Sequence, residues 1–238
     1  MSLKPFQFKQ FTVNQYKCAM KIGTDSVLLG AWTSIDHNPF NILDIGAGTG
    51  ILSLMMAQRS KAQQIEAIEI DDNAFEQCAE NFENSPWNDR LFCFHASLLE
   101  YIEAVDEKFD LIICNPPFYS ENYKTNDISR DLARFSDAMP MEHIIFAVIS
   151  FLSQKGKFSI VLPFKEENKY IEEASLIKLF PNRILRIKGN PNSEIKRSLI
   201  EFSFRESEIK TKELVIETER HQYTQEYIDL TKDFYLKM

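Results

Sequence analysis

Between residues 41 and 162 the chain alternates short apolar runs with longer amphipathic stretches, and that alternation leaves few folds open. Residues 41–45, 64–70, 91–95, 109–114 and 157–162 are apolar runs of strand length. Residues 52–59 and 73–84 lie between them and space their apolar side chains three and four apart, as one face of a helix does. Strands joined through helices lie parallel, with helices covering both faces of the sheet. The runs near 110 and 160 are apolar throughout, as strands buried on both faces are. Beyond residue 180 the rhythm changes. Residues 184–188 and 198–204 are separated by the turn-rich link Gly189-Asn190-Pro191-Asn192-Ser193, too short for a helix, which predicts an antiparallel hairpin at the sheet edge. The expectation is an α/β fold: a seven-stranded, mostly parallel sheet with helices on both faces and that edge hairpin.

A length of 238 residues suits one domain with small additions. Residues 1–35 read as an N-terminal lid packed on the core, aromatic-rich over 6–13 and helical over 25–32. Residues 36–205 form the core. Residues 206–238 add a strand (214–217) and a closing helix (225–235) to the same domain. The opening Met1-Ser2-Leu3-Lys4-Pro5-Phe6 has no apolar signal core, and the longest apolar run, 144–151, is too short to cross a bilayer. The expectation is a cytoplasmic protein. Cys18, Cys78, Cys93 and Cys114 form no C-x-x-C pair, so they read as buried thiols in a reducing compartment, with neither zinc nor disulfides.

The segment Leu43-Asp44-Ile45-Gly46-Ala47-Gly48-Thr49-Gly50 ends one strand and opens a helix. Glycines there let the backbone turn sharply and let a ligand lie against it. The spacing G-x-G-x-G is tighter than the G-x-G-x-x-G of dinucleotide binders. It suits a compact nucleoside without pyrophosphate, such as S-adenosylmethionine, with Gly46, Gly48 and Gly50 in the cradle. Asp44 is placed to face the ligand's ammonium group, directly or through water. Glu69 ends the next strand, where an acid in such folds accepts hydrogen bonds from both ribose hydroxyls. Ser97, past the third strand, is the candidate for contact with the adenine.

Asn115-Pro116-Pro117-Phe118 follows the fourth strand directly. Ligands of open parallel sheets bind beyond the carboxyl ends of the strands. The two prolines fix φ and hold Asn115 extended, so the loop is rigid before a substrate arrives. An exocyclic amine on an aromatic ring is a poor nucleophile because its lone pair is delocalised. If the Asn115 side-chain oxygen and the Pro116 carbonyl accept its two hydrogens, the lone pair is localised and aimed at an electrophilic methyl group. Phe118 then stacks on the target base. Asn115 thus belongs to both the catalytic and the cofactor-contacting set. The chemistry needs no metal and no general base before transfer.

A net charge of −8 argues against a nucleic-acid partner, but its distribution does not. Residues 66–110 carry thirteen acids and two bases, whereas residues 1–21 carry Lys4, Lys9, Lys17 and Lys21 and no acid. Residues 178–197 carry Lys178, Arg183, Arg186, Lys188, Lys196 and Arg197 against Glu194 alone. The two basic segments either converge on one phosphate-binding face or are ordinary solvated surface.

Together these motifs resemble the amino-methyltransferases of the class I, Rossmann-like S-adenosylmethionine fold. The resemblance sharpens over Phe8-Lys9-Gln10-Phe11, Cys18-Ala19-Met20-Lys21-Ile22-Gly23-Thr24-Asp25 and Leu28-Leu29-Gly30-Ala31-Trp32, which look like the bacterial tRNA-valine adenine-N6 methyltransferase family. Arg130, Ala133, Arg134 and the pair Lys196-Arg197 fit the same pattern. The resemblance implies methylation of the N6 amine of adenosine 37 in a valine tRNA. It implies that Thr24 and Asp25 line the cofactor's methionine end, and that Lys21, Arg130, Arg134, Lys196 and Arg197 contact the RNA. Asp25 also reads as an ordinary helix cap. Some family members carry Tyr at the fourth motif position; Phe118 keeps the stacking surface without the hydroxyl.

Two rival activities remain: guanine-N2 methylation of ribosomal RNA, which shares the Asn-Pro-Pro-Phe loop, and methylation of a protein glutamine amide, whose nitrogen poses the same lone-pair problem. A catalytically silent binding module is disfavoured by the intact Asn115 and Glu69. His37, His95, His143 and His221 have no motif partner and read as surface or core-edge residues. The oligomeric state is not legible, with a monomer slightly favoured.

Overall fold

The computed structural model describes residues 4–117 and 139–237. Two short N-terminal strands, β1 (Phe6–Gln7) and β2 (Thr12–Val13), pair with each other and lead to α1 (Thr24–Trp32). The core then alternates β3 (Asn41–Ile45), α2 (Ile51–Arg59), β4 (Gln64–Glu69), α3 (Asp72–Glu83), β5 (Leu91–His95), α4 (Leu98–Ala104) and β6 (Phe109–Cys114). After the next described helix, α5 (Met141–Phe151), come β7 (Leu152–Pro163), α6 (Glu167–Leu176), β8 (Phe180–Lys188) and β9 (Ile195–Ser203). The tail adds β10 (Lys210–Val215), a small hairpin of β11 (Glu217–Glu219) and β12 (Gln222–Tyr223), and α7 (Gln225–Thr231).

The main sheet runs β10-β8-β9-β7-β6-β3-β4-β5. Neighbours from β7 to β5 are parallel, while β9 is antiparallel to both β7 and β8. The seven expected strands are present with the expected hairpin. The hairpin is not the outermost element, however. The tail strand, expected at 214–217, lies at Lys210–Val215 and pairs parallel with β8, making eight strands. Nine residues of β8 would otherwise present an open ladder edge, and covering it removes a template for unwanted pairing.

Helices cover both faces. One core joins Leu54, Met55, Ile65 and Leu111 to Phe8, Phe11, Val13 and Leu28, so the N-terminal residues are built into the main hydrophobic core. The other gathers Leu43, Phe109, Val148, Phe151 and Ile160 on the opposite face. Helix α1 sits close on α2 because Gly30 has no side chain: a Cβ there would lie 2.6 Å from Met55 Sδ. That contact fixes where the first turn of α1 points. Among the described residues, no helix is long and apolar enough to cross a membrane.

Candidate active site

The chain leaves β3 for β4 and β5 on one side, then returns to place β6 on the other. Such a reversal opens a crevice at the carboxyl ends of the two central strands. Ile45 is in register with Cys114, so the loops beginning at Gly46 and Asn115 leave the sheet side by side. They border a cleft of about 660 Å³, within the range of nucleoside-sized sites.

Three glycines with φ of +73°, +54° and +76° shape the first loop, at Gly46, Gly48 and Gly50. Their reasons differ. The Gly46 and Ala47 amides both donate to Ile68 O at 3.0 Å, pinning the loop to β4. A Cβ at Gly48 would meet nothing within 4 Å, so this backbone faces the open cleft. A Cβ at Gly50 would lie 2.6 Å from Phe82 and 2.9 Å from Cys78 Sγ, so Gly50 serves packing on α3 and does not line the cleft.

Glu69 stands at the end of β4 in the cleft wall. Its Oε2 accepts from the Gly48 amide at 2.7 Å, and its Oε1 accepts from the amides of Ile70 and Asp71. Ile70, Ala74, Leu98 and Leu99 add an apolar slot beside it. Ser97 lines the same slot and caps α4 in a reciprocal capping box with Glu100. Asp44 is fully buried behind the loop. Its Oδ2 accepts from the amide and hydroxyl of Ser53 at the start of α2, while Oδ1 has no partner among the described residues. Burial pushes its carboxyl up to about 7. Asp44 itself does not line the cleft, so its orphaned oxygen is open to a donor that reaches behind the glycine loop, as a water bridging to an amino-acid ammonium does.

Asn115, Pro116 and Pro117 line the same cleft, with Met139 and His143. Asn115 Nδ2 donates to Ser26 Oγ at 2.8 Å. Ser26 and Asp25 come from the first turn of α1 and both line the cleft; Thr24 does not. Asp25 caps nothing, since Gly23 is the N-cap. Instead its Oδ2 accepts from Arg197 Nε at 2.8 Å, tying α1 to β9 across the mouth. Sequence reasoning missed Ser26, Asp71 and His143 as cleft residues; none carries a motif, and Ser26 meets its partner 89 positions away. Phe118, Arg130 and Arg134 lie outside the described residues. Cys18 is also in the wall, its thiol pushed up to about 12 by burial and so neutral.

The basic face is narrower than composition suggests. Arg183, Arg186 and Lys188 pair with Glu201, Glu167 and Glu213. Lys17 pairs with Glu76, and Lys9 donates to Lys232 O. Lys21 and Arg197 do line one cleft, and Lys196 beside them is exposed with no ion pair among the described residues. Among the described residues, no group of three or more His, Cys, Asp or Glu side chains is gathered to hold a metal.

The profile of the methyltransferase small domain family matches residues 22–174. The chain is similar to the tRNA1(Val) (adenine(37)-N6)-methyltransferase of Flavobacterium johnsoniae, 62% identical over 98% of this chain and 100% of that protein. The enzyme of the same name from Bacteroides fragilis is 43% identical, with both chains covered in full. Among solved structures, a predicted O-methyltransferase from Agrobacterium tumefaciens superposes with a TM-score of 0.69 at 20% identity, covering 88% of this chain and 96% of its own. That likeness carries the fold alone.

Proposed function

The chain belongs to the tRNA1(Val) (adenine(37)-N6)-methyltransferase family, and from that premise we propose that it methylates the exocyclic N6 amine of adenosine 37 in a valine tRNA. S-adenosylmethionine, when bound, supplies an electrophilic methyl group on its sulfonium sulfur. Gly46 and Gly48 give its nucleoside a backbone to lie against, and Glu69 accepts from the ribose hydroxyls. Ser97, with the apolar slot around it, receives the adenine. Asp44, with its unpartnered Oδ1, answers the ammonium group directly or through water.

The observation that supports the reading is that Asn115 lines the same cleft as Gly48 and Glu69. From there Asn115 Oδ1 and the Pro116 carbonyl accept the two amine hydrogens. The nitrogen lone pair is then localised and directed at the methyl group, and the bonds strengthen as the nitrogen gains positive charge. Phe118 provides the stacking face for the flipped base. Lys21, Lys196, Arg197, Arg130 and Arg134 hold the RNA backbone. The protein works in the cytoplasm, where its substrate is.

Methyl transfer from tritiated S-adenosylmethionine to total tRNA, ribosomal RNA and protein lysate tests this. The label is expected in tRNA as N6-methyladenosine. Label in N2-methylguanosine of ribosomal RNA, or in methylated glutamine, would replace the proposal with the corresponding rival.

A further inference from the structure

We propose that Ser26 is a positioning residue for methyl transfer, its hydroxyl holding the Asn115 carboxamide with Oδ1 toward the substrate amine. This rests on the role given to Asn115 above. A carboxamide has two ends of nearly equal shape and opposite polarity. Turned by 180°, Asn115 would present N–H groups to the amine hydrogens, and the lone pair would stay delocalised. One orientation must be selected before the base arrives.

The contact that holds the orientation seen in the structure is the 2.8 Å hydrogen bond from Asn115 Nδ2 to Ser26 Oγ, in which the serine hydroxyl accepts and its own hydrogen points away from the carboxamide. With Nδ2 engaged there, Oδ1 is left on the other side. Pro116 cannot help, because it has no backbone N–H to anchor Oδ1 in either orientation. Ser26 is 8% exposed and firmly held. Val27, Leu28 and Leu29 after it are buried, Gly30 packs on Met55, and Asp25 before it is clamped by Arg197. Serine is a poorer helix residue than alanine, since its hydroxyl competes for backbone groups. Ser26 stands in the first turn of α1, where serine is well tolerated, and its buried hydroxyl needs a hydrogen-bond partner, which Asn115 Nδ2 supplies.

The test is single-turnover transfer to a valine tRNA transcript at saturating S-adenosylmethionine, with wild type, Ser26→Ala, Ser26→Cys, Asn115→Ala and the double variant Ser26→Ala/Asn115→Ala. Alanine suits a helix, and cysteine keeps the volume while its sulfur accepts hydrogen bonds weakly. Both Ser26 variants are expected to slow the transfer step about tenfold, the worth of one lost hydrogen bond. KM for tRNA and the cofactor Kd should stay within about twofold, because the loss lies in the transition state. Adding Ser26→Ala to Asn115→Ala should cost nothing more, since the two act as a unit. Ser26→Ala or Ser26→Cys at the wild-type rate, beside a crippled Asn115→Ala, would overturn the role of Ser26 and leave the proposed function standing. Additive losses would also overturn it, as they mark a merely structural serine. Asn115→Ala at the wild-type rate would take down both readings together.

Discussion

One oxygen of Glu69 accepts a 2.7 Å hydrogen bond from the Gly48 amide, so a single carboxylate joins the end of β4 to the middle of the glycine loop. The same group is the one proposed for the ribose hydroxyls, a role that would make it ligand contact as well as loop brace. Charge-assisted hydrogen bonds of this kind contribute about 1.5–3 kcal/mol. Glu69→Ala is expected to weaken S-adenosylmethionine binding roughly 10- to 150-fold by calorimetric titration. An unchanged affinity would remove Glu69 from the cofactor site.

Asn115→Ala separates catalysis from binding. Turnover should fall roughly 10²- to 10³-fold, while the cofactor Kd moves little, because the lost interactions belong to the transition state. Asn115→Asp keeps an acceptor oxygen and serves as the control, since it loses the donor that reaches Ser26. Rapid-quench kinetics on tRNA would show whether the chemical step carries the loss.

Asp44 makes cofactor-free stability depend on pH. Burial raises its folded carboxyl from an ordinary 3.8 to about 7. Between those values the folded chain keeps a proton that the unfolded chain has released, so stability falls as pH rises from about 4 to about 7. An ammonium ligand favours the ionised form, so cofactor affinity should instead rise with pH and level off near 7. Asp44→Asn should flatten both curves, read by thermal midpoints and by titration across pH.

Gly48 and Gly50 should respond differently to alanine. Both have positive φ, which costs an L-residue roughly 1–2 kcal/mol. At Gly48 the new methyl enters open cleft, so stability should drop by about that amount and cofactor affinity should suffer more. At Gly50 it strikes Phe82 and Cys78, adding roughly 1–3 kcal/mol of overpacking. Urea denaturation of the two variants would show Gly50→Ala as the less stable; the reverse order would contradict the packing described.

Salt should weaken tRNA binding despite the acidic net charge, through release of counterions from the RNA. Lys196 is exposed and without an ion pair among the described residues, so Lys196→Ala should reduce the slope of log affinity against log salt by about one. Lys188→Ala should change it little, because Glu213 already neutralises that lysine. Equal slopes for wild type and Lys196→Ala would remove Lys196 from the RNA contact.

What was legible in the sequence followed from local pattern. Strands β3 and β6 fall where their apolar runs fall, because a strand buried on both faces is apolar along its length; β5 also falls on its apolar run, although it is an edge strand with Phe92 and Phe94 exposed. β10 was displaced by several positions because Lys210-Thr211-Lys212-Glu213 is polar and exposed; its backbone pairs with β8 without an apolar signature. Which of the two readings of the basic stretch 178–197 holds is not legible locally, for a similar reason. Its neutralising acids, Glu167, Glu201 and Glu213, come from other segments and cannot be seen in a window containing only Glu194. Asp44 was legible as important but not as buried, and the Ser26–Asn115 contact exists only once α1 has docked on α2.

The bridge between Phe8 and Tyr235, with Lys9 N donating to Phe234 O, bears on how the molecule is made. A nascent chain emerges amino end first, yet Phe8 finds its ring partner Tyr235 only when residues past α7 have left the ribosome. Until then Phe6, Phe8 and Phe11 have part of their packing missing, on the same segment that leads into the cleft through Cys18 and Lys21. The segment that leads into the cleft is thus held by residues far behind it in the chain, and its packing is complete only once Phe234 and Tyr235 are in place.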